Sequence, residues 1–160
     1  PLISLFSLHR ILKNMNDLEA VQMLLRAIGS SPVKSLDVDL PDVANARASL
    51  NRLRKSVQKR GWWFNQDYNV VFQVNSVGEV AIPKEITKFV SDNVSLVKRG
   101  RKVYNTSTQT FLINANVRAI KTVRTLEWED MPASMQEYAA YLACAQFISD
   151  EIEDTNKEER

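Results

Sequence analysis

Three acidic residues towards the C-terminus have the type and spacing that acid–base chemistry would need. Glu127, Glu129 and Asp130 form the only local carboxylate cluster before the acidic end of the chain. Glycoside hydrolysis requires two carboxylates that face each other across a sugar ring. Because Glu129 and Asp130 are adjacent and precede a predicted helix, helix capping explains them better. The cluster therefore predicts no catalytic residue.

Metal binding and nucleophilic catalysis need residues that this chain hardly contains. It has one His and one Cys, His9 and Cys144, whereas a structural zinc site takes four such ligands. A Ser-His-Asp triad would have to use His9, which lies in a segment that we interpret as an arm. Cys144 is surrounded by Ala and Leu, which predicts a buried, inert thiol. The four scattered glycines do not form a phosphate-binding loop. We therefore expect no catalytic residue, no cofactor and no metal.

A basic and aromatic segment offers binding chemistry instead. Lys59 and Arg60 are followed by four aromatic residues, Trp62, Trp63, Phe64 and Tyr68. Basic residues beside aromatic ones can hold single-stranded nucleic acid by stacking. The alternative is a corner of the hydrophobic core, anchored by Trp. We favour the corner, because the helical and sheet parts of the chain must meet there.

The helix that should position this segment is predicted over residues 42–60. Its apolar stripe has steps of three and four: Val43, Ala46, Leu50, Leu53 and Val57. Arg52, Lys55 and Lys59 share another side of the helix. They are our candidates for lining a DNA channel or for contacting another subunit. Arg54 is assigned to the solvent side.

Charge is distributed unevenly along the chain. Residues 1–126 hold nineteen Lys and Arg against nine Asp and Glu, a net charge of +10, and residues 127–160 hold two against ten, a net charge of −8. Such asymmetry indicates contact with a polyanion or with an oppositely charged neighbour, although two ordinary solvated faces would give the same count.

The remaining patterns predict an α+β fold, a helical bundle of three main helices with an inserted small antiparallel β-sheet. Asn16 and Glu19 have capping-box spacing at the start of the first helix, which Gly29 ends. The last helix carries a stripe that should pack on the first two: Met135, Tyr138, Leu142, Ala145, Ile148 and Ile152.

Strands are predicted over 68–74, 80–82, 94–98, 102–104, 110–113 and 117–126, whereas 84–93 is ambiguous and permits one helical turn. The predicted division is an N-terminal arm (1–16), a helical hairpin of the bundle (17–64), an antiparallel β insertion (65–126), and the C-terminal helix of the bundle with an acidic tail (127–160).

A series of short segments, in order and at characteristic spacing, also carries a resemblance. It includes Ala44-Asn45-Ala46-Arg47, Arg60-Gly61-Trp62, Val103-Tyr104-Asn105 and Trp128-Glu129-Asp130-Met131-Pro132. The series resembles the tail tubular protein A family, the head-to-tail adaptor or gatekeeper proteins of short-tailed bacteriophages. It spans roughly residues 17–147.

The resemblance implies a structural protein of the virion tail, assembled in the host cytoplasm, and not an enzyme. It implies a ring of twelve subunits that joins the portal protein to a tail nozzle protein similar to tail tubular protein B. Genomic DNA would pass through this ring without sequence-specific contacts. No apolar run approaches the ~20 residues of a membrane helix, so no membrane partner is expected. Two alternatives remain: a free-standing nucleic-acid-binding domain using helix 42–60, and a tail-associated wall- or polysaccharide-degrading enzyme.

Overall fold

The structure, a computed structural model, describes residues 14–158, with side chains described as far as Asp150. The chain forms two compact units. The helical unit holds the described residues up to Arg54 and from Glu127 onward, and the inserted unit is Lys55–Leu126. The predicted arm, residues 1–16, lies almost wholly outside the described residues. The elements in chain order are α1 Asp17–Ala27, α2 Pro41–Gln58, β1 Gln66–Phe72, β2 Ile86–Ser91, β3 Leu96–Arg99, β4 Lys102–Asn105, β5 Val117–Arg124 and α3 Ala133–Glu158.

Local signals fix both ends of α1. The Asn16 side chain accepts a hydrogen bond from the Glu19 backbone N–H at 2.8 Å, and the Glu19 carboxylate accepts one from the Asn16 N–H at 3.0 Å. These two bonds satisfy N–H groups that the first helical turn leaves unpaired, and they confirm the predicted capping box. Gly29 follows the helix with a φ of 79°, a left-handed conformation that glycine adopts without strain.

In the helical unit, α1 packs closely against α3, which meets it through mostly small side chains. The buried face of α3 consists of Gln136, Ala139, Ala140, Ala143, Cys144 and Phe147. The buried face of α1 consists of Ala20, Val21, Leu24 and Leu25. Because the distance between two helix axes depends on the side chains at the contact, alanines on α3 let the two backbones approach.

The predicted stripe of α3 is wrong over the side chains that the structure describes, and Ile152 lies outside them. Tyr138, Ala145 and Ile148 are exposed, and Met135 and Leu142 are half-buried. Both sides of this helix carry apolar residues at helical spacing, so the period alone does not select the buried side. The close approach of α1 selects it, because that contact accommodates methyl groups and not tyrosine rings.

Along α2, the prediction holds for the first turns and fails for the last. Val43, Ala46 and Leu50 are buried as predicted. Leu53 is only half-buried, whereas Arg54 is buried, so the assignment of Arg54 to solvent is wrong. The buried line continues from Leu50 in steps of four, which a helix of 3.6 residues per turn permits as readily as steps of three.

The predicted single sheet is wrong, although the α+β class itself agrees with the structure. The inserted unit contains two antiparallel sheets, one of three strands in the order β1-β5-β2 and one of two strands, β3-β4. Among the helices of the described residues, close backbone approach occurs between α1 and α3, so the predicted bundle of three main helices is also corrected. β5 pairs with both β1 and β2 because it is the longest strand and lies between them.

The ambiguous segment 84–93 contains β2. Phe89 lies opposite Thr122, and the register shifts twice along the pair, between Ile86 and Lys88 and between Val90 and Ser91. Each shift interrupts the two-residue alternation, which is why the sequence shows no clear strand period here. The predicted strands at 80–82 and 110–113 occur only as isolated bridges.

The core of the inserted unit lies under the two sheets. Its buried members are Phe72, Val80, Ile82, Ile86, Val103, Val117 and Ala119. The predicted β3-β4 hairpin is confirmed, with Gly100 at its turn in a left-handed conformation, φ 63°. Two observations favour glycine at position 61. Its φ of 81° is left-handed, and a Cβ there would lie 2.9 Å from a Val123 methyl carbon.

Candidate functional site

The three basic candidates of α2 are not equivalent. Arg52, in the helical unit, donates to the Asp150 carboxylate at 3.0 Å, and both side chains are about half exposed. Lys55 and Lys59, in the inserted unit, are exposed and have no ion-pair partner among the described residues. Lys55 and Lys59 therefore remain available to an external partner, whereas Arg52 already has a carboxylate.

The charge of the inserted unit is strongly positive. Its seventy-two residues, Lys55–Leu126, hold twelve Lys and Arg against four Asp and Glu, a net charge of +8. Two of those acids are used within the unit, since Glu79 pairs with Lys102 at 2.6 Å and Asp67 with Arg124 at 3.2 Å. The rest of the chain holds nine Lys and Arg against fifteen Asp and Glu, a net charge of −6. The charge asymmetry thus follows the structural units.

A cleft of about 340 Å³ opens in the helical unit. Its lining combines charged and apolar groups from α1, the loop after α1, α2 and the turn before α3: Asp17, Val21, Leu36, Arg47, Ala48, Leu50, Asn51, Arg54, Glu127 and Trp128. The deepest cation is Arg54, whose side chain is only 9% exposed. The cleft carries two cations and two carboxylates, so its lining has no strong net sign.

Arg54 is held by partners that sequence reasoning missed. It forms an ion pair with Glu127, whose own side chain is 73% exposed, and it donates to the Asn51 side chain at 2.9 Å. Burying a cation costs free energy unless it is paired and hydrogen-bonded, and both conditions are met here. The four-residue step from Leu50 to Arg54 is the sequence feature that could have indicated the burial of Arg54. Glu127 thus serves as a counterion in this structure, which is a structural role.

Asp17 is the carboxyl with a shifted pKa among the described residues of the cleft. Burial raises the pKa of Asp17 above its ordinary value of 3.8, and the negative charge of Glu129 raises it further, while Arg54 and Arg47 act in the opposite direction. A raised pKa in a cleft is one mark of a functional carboxyl, but structural charge networks produce it too.

The buried side-chain amides of Gln58 and Asn65 join the two ends of the inserted unit by hydrogen bonds. Gln58 exchanges two hydrogen bonds with the Leu126 backbone, donating to its C=O at 3.1 Å and accepting from its N–H at 2.8 Å. The Asn65 side chain donates to the Gln58 carbonyl at 2.9 Å and to the Arg124 carbonyl at 2.8 Å. These bonds tie the first and last residues of Lys55–Leu126 together and satisfy the two buried side-chain amides.

The segment after α2, which we call the basic-aromatic turn (Lys59, Arg60, Trp62 and Trp63), matches the core-corner prediction only in part. Trp62 is half-buried, and its indole N–H donates to the Val57 carbonyl at 2.7 Å. Trp63 is 77% exposed and meets Phe64 edge to face at 5.6 Å between centroids. The Arg60 guanidinium lies 5.2 Å from the centroid of Trp62. The turn therefore presents one indole and two cations to its surroundings.

α3 also presents an apolar surface. Its outer face, which we define as Tyr138, Tyr141, Ala145 and Ile148, follows steps of three and four along the helix. Tyr141 is 66% exposed and Tyr138 is 46% exposed. A row of exposed aromatic and aliphatic side chains on one helix is typical of a surface that contacts another macromolecule.

The acidic cluster, Cys144 and His9 were considered above as possible catalytic or metal-binding groups. Glu129 and Asp130 are exposed in the turn before α3. The Cys144 thiol is buried as predicted, and burial raises its pKa, which disfavours the reactive thiolate. His9 lies outside the described residues. Within residues 14–150, whose side chains the structure describes, no group of three or more His, Cys, Asp or Glu side chains could hold a metal ion.

Exposed aromatic residues next to cations that form no ion pair among the described residues, and an apolar helix face, are typical of a protein that contacts other macromolecules. In the described part of the chain, no helix combines the length and apolarity needed to cross a membrane. The sequence matches the family model "Tail tubular protein" over residues 18–159. The chain therefore belongs to the tail tubular protein family, and it is a structural component of a phage tail.

A curated relative extends this comparison. The chain is 27% identical over 146 residues to "Tail tubular protein A" of Klebsiella phage KP34, an alignment that covers 89% of this chain and 77% of the relative. The resemblance identified from the segments between residues 17 and 147 is confirmed by both comparisons.

Proposed function

We propose that this tail protein is a ring-forming head-to-tail adaptor, with twelve subunits per ring, which joins the portal protein to the tail nozzle and surrounds the DNA passage. The observation that carries the proposal is membership of the tail tubular protein family over residues 18–159. The division into a unit of net charge +8 and a remainder of net charge −6 supports it. Opposite charges on one subunit favour head-to-tail contacts, which close into a ring when the rotation permits.

The basic residues have two possible roles in such a ring. Lys55 and Lys59 either attract the phosphates of passing DNA or contact the neighbouring subunit, and Arg52 would join them only by leaving Asp150. A passage that lets DNA slide should attract phosphate without contacting base edges. Twelve copies of a weak cation would provide that attraction without a sequence-specific site.

The oligomeric state is the direct test of the adaptor. We expect the isolated protein to be a monomer at low concentration and to form a ring on the portal protein of the same phage. Light scattering gives the mass with and without portal, and particle imaging gives the symmetry. A stable dimer that ignores portal would contradict the ring.

A double variant, Lys55→Glu with Lys59→Glu, tests the role of the lysines. It should be assayed for duplex DNA binding at two salt concentrations and for assembly on portal. If both lysines contact phosphate, each neutralised contact should lower the slope of log affinity against log salt by roughly 0.9. The matched control is Lys34→Glu with Lys84→Glu, which makes the same charge change at other exposed positions. Loss of DNA binding alone supports the DNA role, and loss of assembly alone supports the subunit contact.

A further inference from the structure

The outer face of α3 is an exposed apolar surface of the helical unit. The opposite side of the helix is already buried through its alanines, Cys144 and Phe147. Tyr138, Tyr141 and Ile148 nevertheless remain exposed at 46%, 66% and 36%. A helix that is apolar on both sides is typical of one covered on both sides. Something outside the described chain should therefore cover the outer face.

The basic-aromatic turn has the composition of a contact anchor. Trp63 is 77% exposed, and Lys59 and Arg60 are exposed beside it in sequence. Trp, Tyr and Arg are the residues that most often dominate the energy of a protein interface, and such residues tend to pair with one another across it. Tyrosine rings and an acidic surrounding would suit both the indole and the cations.

Duplex DNA fits the exposed indole less well than protein does. Stacking on an aromatic side chain requires a base with a free face, which single strands supply. The bases of a duplex are already stacked on one another, so Trp63 would meet only phosphate and sugar. A protein surface that buries the indole gains its full apolar area instead.

We propose that the basic-aromatic turn of one copy docks on the outer face of α3 in a second copy. Opposite charge favours this pairing. The turn belongs to the unit of net charge +8. In contrast, α3 lies in residues 127–160, which hold two Lys and Arg and ten Asp and Glu. Like surfaces repel and unlike ones attract, so the contact is head-to-tail. The contact rests on the proposed ring, for which it names both contact surfaces.

Substitutions on each surface test the contact by its contribution to assembly. Trp63→Ala and Tyr141→Ser should each raise the concentration needed for half-maximal assembly on portal by about tenfold or more. The control is Val94→Ser, which removes an apolar side chain that is 90% exposed in the inserted unit. If wild type and both variants assemble alike, the contact is wrong and the ring survives. If wild type itself does not assemble, the ring and the contact both fail.

Cysteine cross-linking tests the direction of the contact. In a Cys144→Ser background, one chain carries Trp63→Cys and another carries Tyr141→Cys, and both are mixed with portal and a short bis-maleimide at a protein concentration above the raised half-maximal point that loss of these two side chains should cause. We expect covalent dimers from the mixture and none from either chain alone. A chain with both cysteines should give a ladder of covalent oligomers. Dimers from one variant alone would overturn the head-to-tail contact, and so would a doubly substituted chain that cross-links only within itself while the ring assembles.

Discussion

At the scale of single residues, Arg54 shows how a charged group takes a core position. The apolar line of α2 reaches it through Leu50, and its guanidinium meets Glu127 and Asn51. Arg52, two residues earlier, forms an ion pair with Asp150 in which both side chains are about half exposed. The two arginines are the same residue type on the same helix, and burial alone separates their expected energetic roles.

Arg54→Ala should lower the free energy of unfolding by about 1.5–3 kcal/mol, because hydrogen bonds to charged groups contribute that much when the surroundings are buried. Arg52→Ala is the matched control and should cost at most about 1 kcal/mol, as exposed ion pairs do. Urea unfolding of the two variants measures the difference. Equal losses would mean that Arg54 is not held as the structure has it.

Asp17 should make stability depend on pH. Its folded-state pKa is raised above 3.8 by burial and by Glu129, so the folded chain binds this proton more tightly than the unfolded chain does. The contribution of Asp17 to stability is therefore greatest at low pH and is lost as the pH rises from 3.8 through the raised pKa. Asp17→Asn should remove that falling component.

The measurement is the free energy of unfolding of wild type and Asp17→Asn at a series of acidic to neutral pH values. The difference between them should shift in favour of the variant as the pH rises. Asp39→Asn, which removes an exposed carboxylate from the same unit, is the matched control. Parallel curves for wild type and Asp17→Asn would contradict the raised pKa.

At the scale of elements, α3 has two apolar faces with different side-chain volumes. The face that meets α1 carries Ala139, Ala140 and Ala143, and the outer face carries Tyr138 and Tyr141. Small side chains permit close approach, and large ones leave accessible area for a partner. One helix can therefore hold its own unit together and present a contact surface.

Enlarging a side chain distinguishes the two faces of α3. Ala143→Leu should destabilise the protein by about 1–3 kcal/mol, because the added atoms overpack a contact with no exposed area. Ala145→Leu adds the same atoms on the outer face and should change stability by about 0.5 kcal/mol or less. Thermal melts compare the two variants. A larger loss for Ala145→Leu would show that the helix faces are assigned the wrong way round.

At the scale of the whole molecule, charge is partitioned between the two units. The inserted unit carries +8 and the rest of the chain −6, although the total is only +2. The near-neutral total is the sum of a basic unit and an acidic remainder. In two copies of the chain, parts of like charge repel each other and parts of unlike charge attract each other. Such a partition favours ordered head-to-tail association over random aggregation.

Salt should therefore weaken association more than folding. The screening length falls from about 10 Å at 0.1 M salt to about 3 Å at 1 M, which removes attraction between exposed charges on different copies. The cores of the two units are apolar and should be little affected. Light scattering with portal, alongside urea unfolding at both salt concentrations, separates the two effects. Assembly that is unchanged at 1 M salt would assign the contact to apolar area alone.

The sequence by itself determined the features that depend on near neighbours. The capping box of Asn16 and Glu19, the helix end at Gly29 and the two short strands of the β3-β4 hairpin were predicted and are present. Each is stabilised by hydrogen bonds or backbone preferences within a few residues, so the local sequence contains the whole cause. The ordered segments also sufficed to indicate the tail tubular protein family.

Only the tertiary structure decided the features that depend on distant partners. The burial of Arg54 required Glu127, seventy-three residues away, and the β2 register required the irregular pairing with β5. The buried side of α3 required the close approach of α1, because a helical period marks both apolar faces equally and only the volume opposite each face distinguishes them. The exposure of Tyr141, on which the proposed contact depends, was not predicted from the helical period for the same reason.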